Sequence, residues 1–158
     1  MALMEDKPRS ANATAYDDCS VLVIRKENFE SLSVANPALV ERLTKMLAER
    51  IWFGYRQLKN FCIKNAVGRM YDAIVMHMEQ KHISMGYKDE GCLDFGPKEL
   101  AKMCGIDDEV AKSVFVKMSN EKKITFTKSQ IYSPNNEELV KLAEYYRGVQ
   151  RREEARQA

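Results

Sequence analysis

The most regular feature of the chain is an apolar stripe of helical period. In "PALVERLTKMLAERIWFGYRQLKNFC", Leu39, Leu43, Leu47, Ile51, Leu58 and Phe61 recur at three-to-four spacing, and Val40, Met46 and Phe53 widen the stripe. Glu41, Arg42, Lys45, Glu49, Arg50 and Arg56 fill much of the remaining surface. The pattern predicts one amphipathic helix over 37–62, with Asn36 as its N-cap and Pro37 in its first turn. Such a helix is roughly 38 Å long at about 1.5 Å per residue, more than so small a core covers. Its apolar face therefore needs a partner, and we read 37–62 as a homodimerisation helix.

Upstream, "ANATAY" and "CSVLVIR" are β-prone runs split by Asp17-Asp18, a turn signal. "KENFESLSV" then predicts a short helix that stops before Asn36-Pro37. Downstream, a helix is predicted over 66–81, with Val67, Met70, Tyr71, Ile74, Val75 and Met78 on one side as core. A polar break at Asn60, Lys64 and Asn65 separates the two long helices. "ISMGYKDEGCLDFG" is a Gly-punctuated connection holding a short strand at "GCLDF".

The segment "GPKELAKMCGIDDEVAKSVFVKMSNEKKITFTKSQIYSP" predicts helix, tight turn, helix and two strands. Pro97 opens the first helix, with Leu100, Ala101 and Met103 inward. Cys104-Gly105-Ile106 makes the turn, because Gly tolerates the positive φ that closes two helices steeply. Asp107 caps the second helix, whose stripe is Val110, Ala111, Val114, Phe115 and Met118. "KITFT" and "QIYS" form a β-hairpin about Lys128-Ser129, the wing of a winged helix. The tail, "NNEELVKLAEYYRGVQRREEARQA", predicts a last helix with Leu139, Leu142, Ala143 and Tyr146 inward. The fold class is mainly α with a small β part (α+β). We divide the chain into 1–36, 37–63 (the dimerisation helix) and 64–158 (the winged-helix domain with its carboxy-terminal helix).

Composition sharpens the function classes. The 158 residues carry 45% hydrophobic and 30% charged positions and a net charge of only +2, so any anion site has to be local. Cys19, Cys62, Cys92 and Cys104 form no CxxC pair and read as reduced thiols, and His77 and His82 are poorly spaced for sharing a metal. We predict no metal site and no catalytic residue, since no nucleophile–base pair, carboxylate dyad or Gly-rich nucleotide loop is present. No apolar run approaches the ~20 residues of a membrane span, and no signal peptide is visible, which predicts a cytoplasmic protein.

With these pieces in order, the sequence resembles the carboxy-terminal two-thirds of a catabolite-activator/Fnr-type (Crp/Fnr) bacterial transcription regulator. The order strand, strand, short helix, "NP", long helix, second helix and winged helix-turn-helix carries the resemblance. It implies that 1–36 is the end of a cyclic-nucleotide-binding β-roll. "MALMEDKPRSANA" is similar to the last part of the family's phosphate-binding cassette, a Gly-Glu pair before a loop closed by Arg-Ser-Ala. The resemblance implies that Arg9 pairs with the cyclic phosphate, Ser10 adds donors and Ala11 admits close backbone approach. The Gly-Glu pair would fall before Met1, so the chain reads as amino-terminally truncated. We expect a cyclic nucleotide to bind a longer parent protein and not this chain, which requires no cofactor.

Two positions depart from the family pattern. Where cAMP-responsive members place a Thr-Ser pair against the base, ungapped alignment from Pro37 puts Gly54 and Tyr55, of which Tyr55 is a candidate base contact. Where family recognition helices place two Arg on guanine edges, alignment from Gly105 puts Asp108 and Ser113, with Glu109 at the family's base-contacting Glu. Seven lysines face five acids between Pro97 and Ser133, a modest surplus for a protein that neutralises phosphates. The candidate DNA-binding residues are Glu109, Lys112, Ser113, Lys117, Lys122, Lys123 and Lys128. The leading function is a dimeric regulator that binds duplex DNA under control of a cyclic-nucleotide-type effector domain. The alternative, motivated by Asp107, Asp108 and Glu109, is an adaptor that has lost DNA readout and contacts a protein partner. Neither reading involves a membrane.

Overall fold

The computed structural model describes residues 11–157 apart from Tyr87. Helices α1 (Lys26–Ala35), α2 (Pro37–Phe61) and α3 (Ala66–Gln80) come first, followed by strand β1 (Gly91–Leu93). Helices α4 (Pro97–Cys104) and α5 (Asp108–Asn120), strands β2 (Thr125–Phe126) and β3 (Ile131–Ser133), and helix α6 (Asn136–Gln157) complete the order. The chain divides into two compact units, Met1–Ala48 and Glu49–Ala158, with the division inside α2.

In the first unit, α1 is held by local bonds. Ser31 Oγ donates to Glu27 O, Ser33 Oγ donates to Phe29 O, and Lys26 lies i,i+4 from Glu30. None of its residues is buried. The two strands expected within 11–25 are absent among the described residues. A strand is held by a ladder to a neighbour, and no described strand pairs with this segment. Val21, Leu22, Val23 and Ile24 stay exposed. Asn36 precedes α2 and its backbone carbonyl accepts from Leu39 N at 2.9 Å, but its side chain does not cap that helix: the amide donates backward to Leu32 O and closes α1.

The second unit is built around α3. The sequence predicts one apolar side for this helix, yet Met70 through Met78 are all buried. The reason is that α3 packs against α4, α5, α6 and β1. Asn65 caps it, its Oδ1 accepting from Val67 N at 2.9 Å and Gly68 N at 3.1 Å. A Cβ on Gly68 would lie 2.6 Å from Tyr146 Cβ, so this glycine sets the close approach of α3 and α6. Leu93, Leu100, Phe115, Met118, Ile124, Ile131 and Leu139 join the α3 residues in one core. The sheet is antiparallel in the order β1-β3-β2, with Gly91 opposite Ser133 and Phe126 opposite Ile131.

Two inward positions are corrected. Met103 is exposed, and Cys104 takes its place in the core together with Leu100 and Ala101. On α5, Val110 is exposed, and the buried face is Ala111, Val114, Phe115 and Met118.

On α2, the outward stripe is Val40, Leu47, Ile51, Tyr55, Leu58 and Phe61, all exposed. Leu39 and Leu43 are half-buried. Phe53 turns the other way, its ring 5.3 Å from that of His77. Asn60, also on that side, is 3% exposed.

A candidate nucleic-acid interface

The geometry of α4 and α5 follows from a few local choices. Gly96 N donates to Glu99 Oε2 at 2.8 Å, and Pro97 supplies the first helical turn. Gly105 closes α4 at φ 60°, ψ 41°, the left-handed conformation that a Cβ would strain. Asp107 Oδ1 then accepts from Glu109 N at 2.9 Å and opens α5. One of the three acids at this tip is therefore spent on capping.

The hairpin folds back onto the start of α4. A Cβ on Gly96 would lie 1.9 Å from Lys128 O, so only glycine admits the turn of β2 and β3 here. The fold-back creates a groove of about 620 Å³ lined by Pro97, Lys98, Asp108, Lys112, Phe126 and Lys128 among others. Lys112 of α5 and Lys128 of the hairpin, far apart in sequence, thus meet across one groove. Lys98 completes the set. No sequence signal singles it out, because it precedes the helix and wing that carry the other lysines, and only the fold-back of the turn brings the α4 start beside them.

The remaining candidates separate. Glu109, Lys112, Ser113, Val116 and Lys117 are exposed on the outer side of α5. Ser113 Oγ donates to Val110 O at 2.8 Å, which leaves its oxygen as an acceptor only. Lys122 is exposed just beyond α5 at φ 56°. Lys123 is half-buried and pairs with Glu138 of α6, so the structure ties it to the fold. Arg9 and Ser10 lie outside the described residues, and Ala11 is exposed. Tyr55 lies on the open surface of α2, with Lys59 Nζ 4.6 Å from its ring centroid and Trp52 5.9 Å away.

The titratable groups of the core read as structural. Burial pushes the Cys104 thiol up to about 12, far from thiolate chemistry at neutral pH. His77 lies between Phe53 and Phe95 with its pKa lowered, first by burial. Among the described residues no group of three or more His, Cys, Asp or Glu is placed to hold a metal ion, and no helix is long and apolar enough to cross a membrane.

No protein-family model and no curated protein matches the sequence. Solved structures do match. A transcriptional regulator of the CRP/FNR family from Thermus thermophilus, TTHA1359, aligns over 69% of this chain and 56% of its own, at 21% identity and a TM-score of 0.54. CprK complexed with OCPA aligns over 73% of this chain and 53% of its own, at 15% identity and a TM-score of 0.58. The chain spans about half the length of each. Over roughly seven-tenths of its length it shares the fold of these two proteins, one of them a CRP/FNR-family transcriptional regulator.

Proposed function

We propose that this chain is the dimerising and DNA-binding part of a Crp/Fnr-type transcription regulator. In this reading α4 and α5 are a helix-turn-helix, β2 and β3 its wing, and α5 the helix presented to duplex DNA. The observation that carries the reading is the groove in which the hairpin tip folds onto α4 and gathers Lys98, Lys112 and Lys128. Phosphate neutralisation by lysines supplies most of the affinity of such proteins. Lys117 and Lys122 extend the basic surface along and beyond α5. The fold likeness to a CRP/FNR-family regulator supports the same reading.

The outward stripe of α2 supports homodimerisation. Gly54 lies on that stripe, and a Cβ there would meet nothing within 4 Å. Glycine inside a helix costs about 1 kcal/mol relative to alanine. The chain's own packing gives no return for it, whereas a second helix crossing there closely would. Control by a cyclic nucleotide belongs, in this proposal, to a longer cytoplasmic parent that completes the effector domain around Arg9, Ser10 and Ala11.

Fluorescence anisotropy on a pool of palindromic duplexes, at about 50 mM and then about 200 mM salt, tests DNA binding. Affinity is expected to fall steeply with salt. Lys112→Glu or Lys128→Glu should weaken binding and reduce the salt slope by about one for each lysine–phosphate pairing removed. Flat curves at the lower salt would overturn the reading.

A second reading rests on Asp108, which lines the same groove. As an adaptor, the protein would use that acid and Glu109 to hold a basic partner. Asp108→Lys separates the two: it strengthens DNA binding under the first reading and abolishes capture of a basic protein under the second.

A further inference from the structure

A second cleft lies away from that groove, where the end of α2 meets α3 and α6. Its volume is about 390 Å³, within the ~300–1,000 Å³ of small-molecule sites. Arg56, Lys59, Asp72, Arg147, Gln150 and Arg151 line it, so four cations face a single carboxylate.

That carboxylate is already engaged. Asp72 Oδ2 accepts from Asn60 Nδ2 at 2.9 Å, and Oδ1 accepts from Arg147 Nε at 2.6 Å. The Arg147 Nη2 lies against the same oxygen. Asp72 and Arg147 thus neutralise each other as an ion pair. Arg56 gives Nη1 to Glu79 at 2.8 Å, while its Nη2 is buried without a hydrogen-bond partner, 3.9 Å from Asp72 Oδ1. Lys59 extends over the Tyr55 ring, and Arg151 is exposed at the rim. A buried guanidinium N–H left without an acceptor is costly, and an oxyanion in the cleft removes that cost.

We propose that this cleft binds a small phosphate-bearing anion, with Arg56 Nη2, Lys59 and Arg151 as the donors, Lys59 leaving the face of Tyr55 to reach it. The three donors come from two helices, α2 and α6, and three separate cations suit a tetrahedral group with oxygens on every side. A planar carboxylate offers oxygens on one edge only. The exposed Arg151 guanidinium fork matches phosphate oxygens bidentately, and Arg56 adds its single unpartnered nitrogen, Nη2. The site is independent of DNA binding, and its test reads anion binding alone.

Calorimetry on the full chain at fixed ionic strength tests it, with inorganic phosphate, pyrophosphate and ribose 5-phosphate as probes. Saturable binding of one anion per chain is expected. Lys59→Ala and Arg151→Ala should each weaken it about tenfold or more, the range for loss of one charge-assisted hydrogen bond. Both side chains are exposed, so melting temperature should hold and report that the variants fold. Tighter binding of ribose 5-phosphate than of free phosphate assigns the rest of the cleft to an organic group, and equal affinity assigns the site to the free ion. Flat titrations with all three probes overturn the proposal. So does an equal loss in Lys112→Ala, which would mark the heat as general attraction to a basic surface.

Discussion

At the scale of single residues, His77 is the group whose chemistry the fold changes most plainly. It is 8% exposed, its ring set edge-on to Phe53 and Phe95, and its Nε2 has no hydrogen-bond partner. Burial lowers its pKa most, nearby Lys81 lowers it further, and a hydrogen bond with Gln80 only partly offsets them. The native pKa therefore lies below the unfolded value of about 6.5. Above that pH the imidazole is neutral in both states and contributes no slope. As pH falls below it, the unfolded chain takes up a proton that the native chain refuses, so stability drops until the lowered native pKa is passed. Chemical denaturation between about pH 7 and pH 5 should show this decline, and His77→Gln should flatten it from a lower starting stability. Equal slopes in the two proteins would show that His77 does not drive the decline. The sequence marks His77 only as an isolated histidine on a helix. Its burial depends on Phe53 and Phe95, which approach from outside α3, and no local pattern encodes that.

At the scale of elements, periodicity is a good guide to where helices run and a poor guide to which side turns inward. The pattern predicts α2 over 37–62 and the helix ends at Phe61; it predicts α3 over 66–81 and the helix ends at Gln80. Yet α2 is apolar on more than one side. Phe53 and Asn60 face α3, while Ile51, Tyr55 and Leu58 look outward. The same ambiguity explains α4, where Met103 and Cys104 are adjacent apolar residues about 100° apart on the helix. The smaller Cys104 is the one enclosed by the core. Strand identity is the least legible feature, because "CSVLVIR" has β propensity but no ladder partner among the described residues. The outward side of α2 gives a direct test of dimerisation. Ile51 is 73% exposed and Leu58 67%, and a carboxylate at either position would be buried and unpaired in any interface formed there. Sedimentation at micromolar concentration should give two chains for the wild type and one for Ile51→Asp/Leu58→Asp, with far-UV circular dichroism retained. A wild type that sediments as one chain would refute the dimer.

At the scale of the molecule, burial is distributed very unevenly. Helix α3 is enclosed along nearly its whole length, and a polar network ties it to α2 and α6: Asn60 from α2 and Arg147 from α6 meet on Asp72. Nothing in the sequence distinguishes Asp72 from an acid on a solvated helix face, because its partner Arg147 lies 75 positions away. Helix α1, by contrast, has no buried residue and leaves Leu32 and Val34 exposed. Isolated helices shorter than ~12–15 residues are marginal in water, and α1 has ten. Protection from hydrogen exchange follows local stability, which runs from near zero in weakly packed segments up to the global value in the core. The amides of α1 should therefore exchange close to the rate of an unstructured peptide, whereas those of α3 between Met70 and Met78 should exchange only through global unfolding. Denaturant separates the two regimes. The α3 rates should rise steeply with added urea, in proportion to the surface exposed on unfolding, while the α1 rates should hardly respond. Strong protection of α1 would mean that something covers Leu32 and Val34, and would place that helix within the cooperative unit.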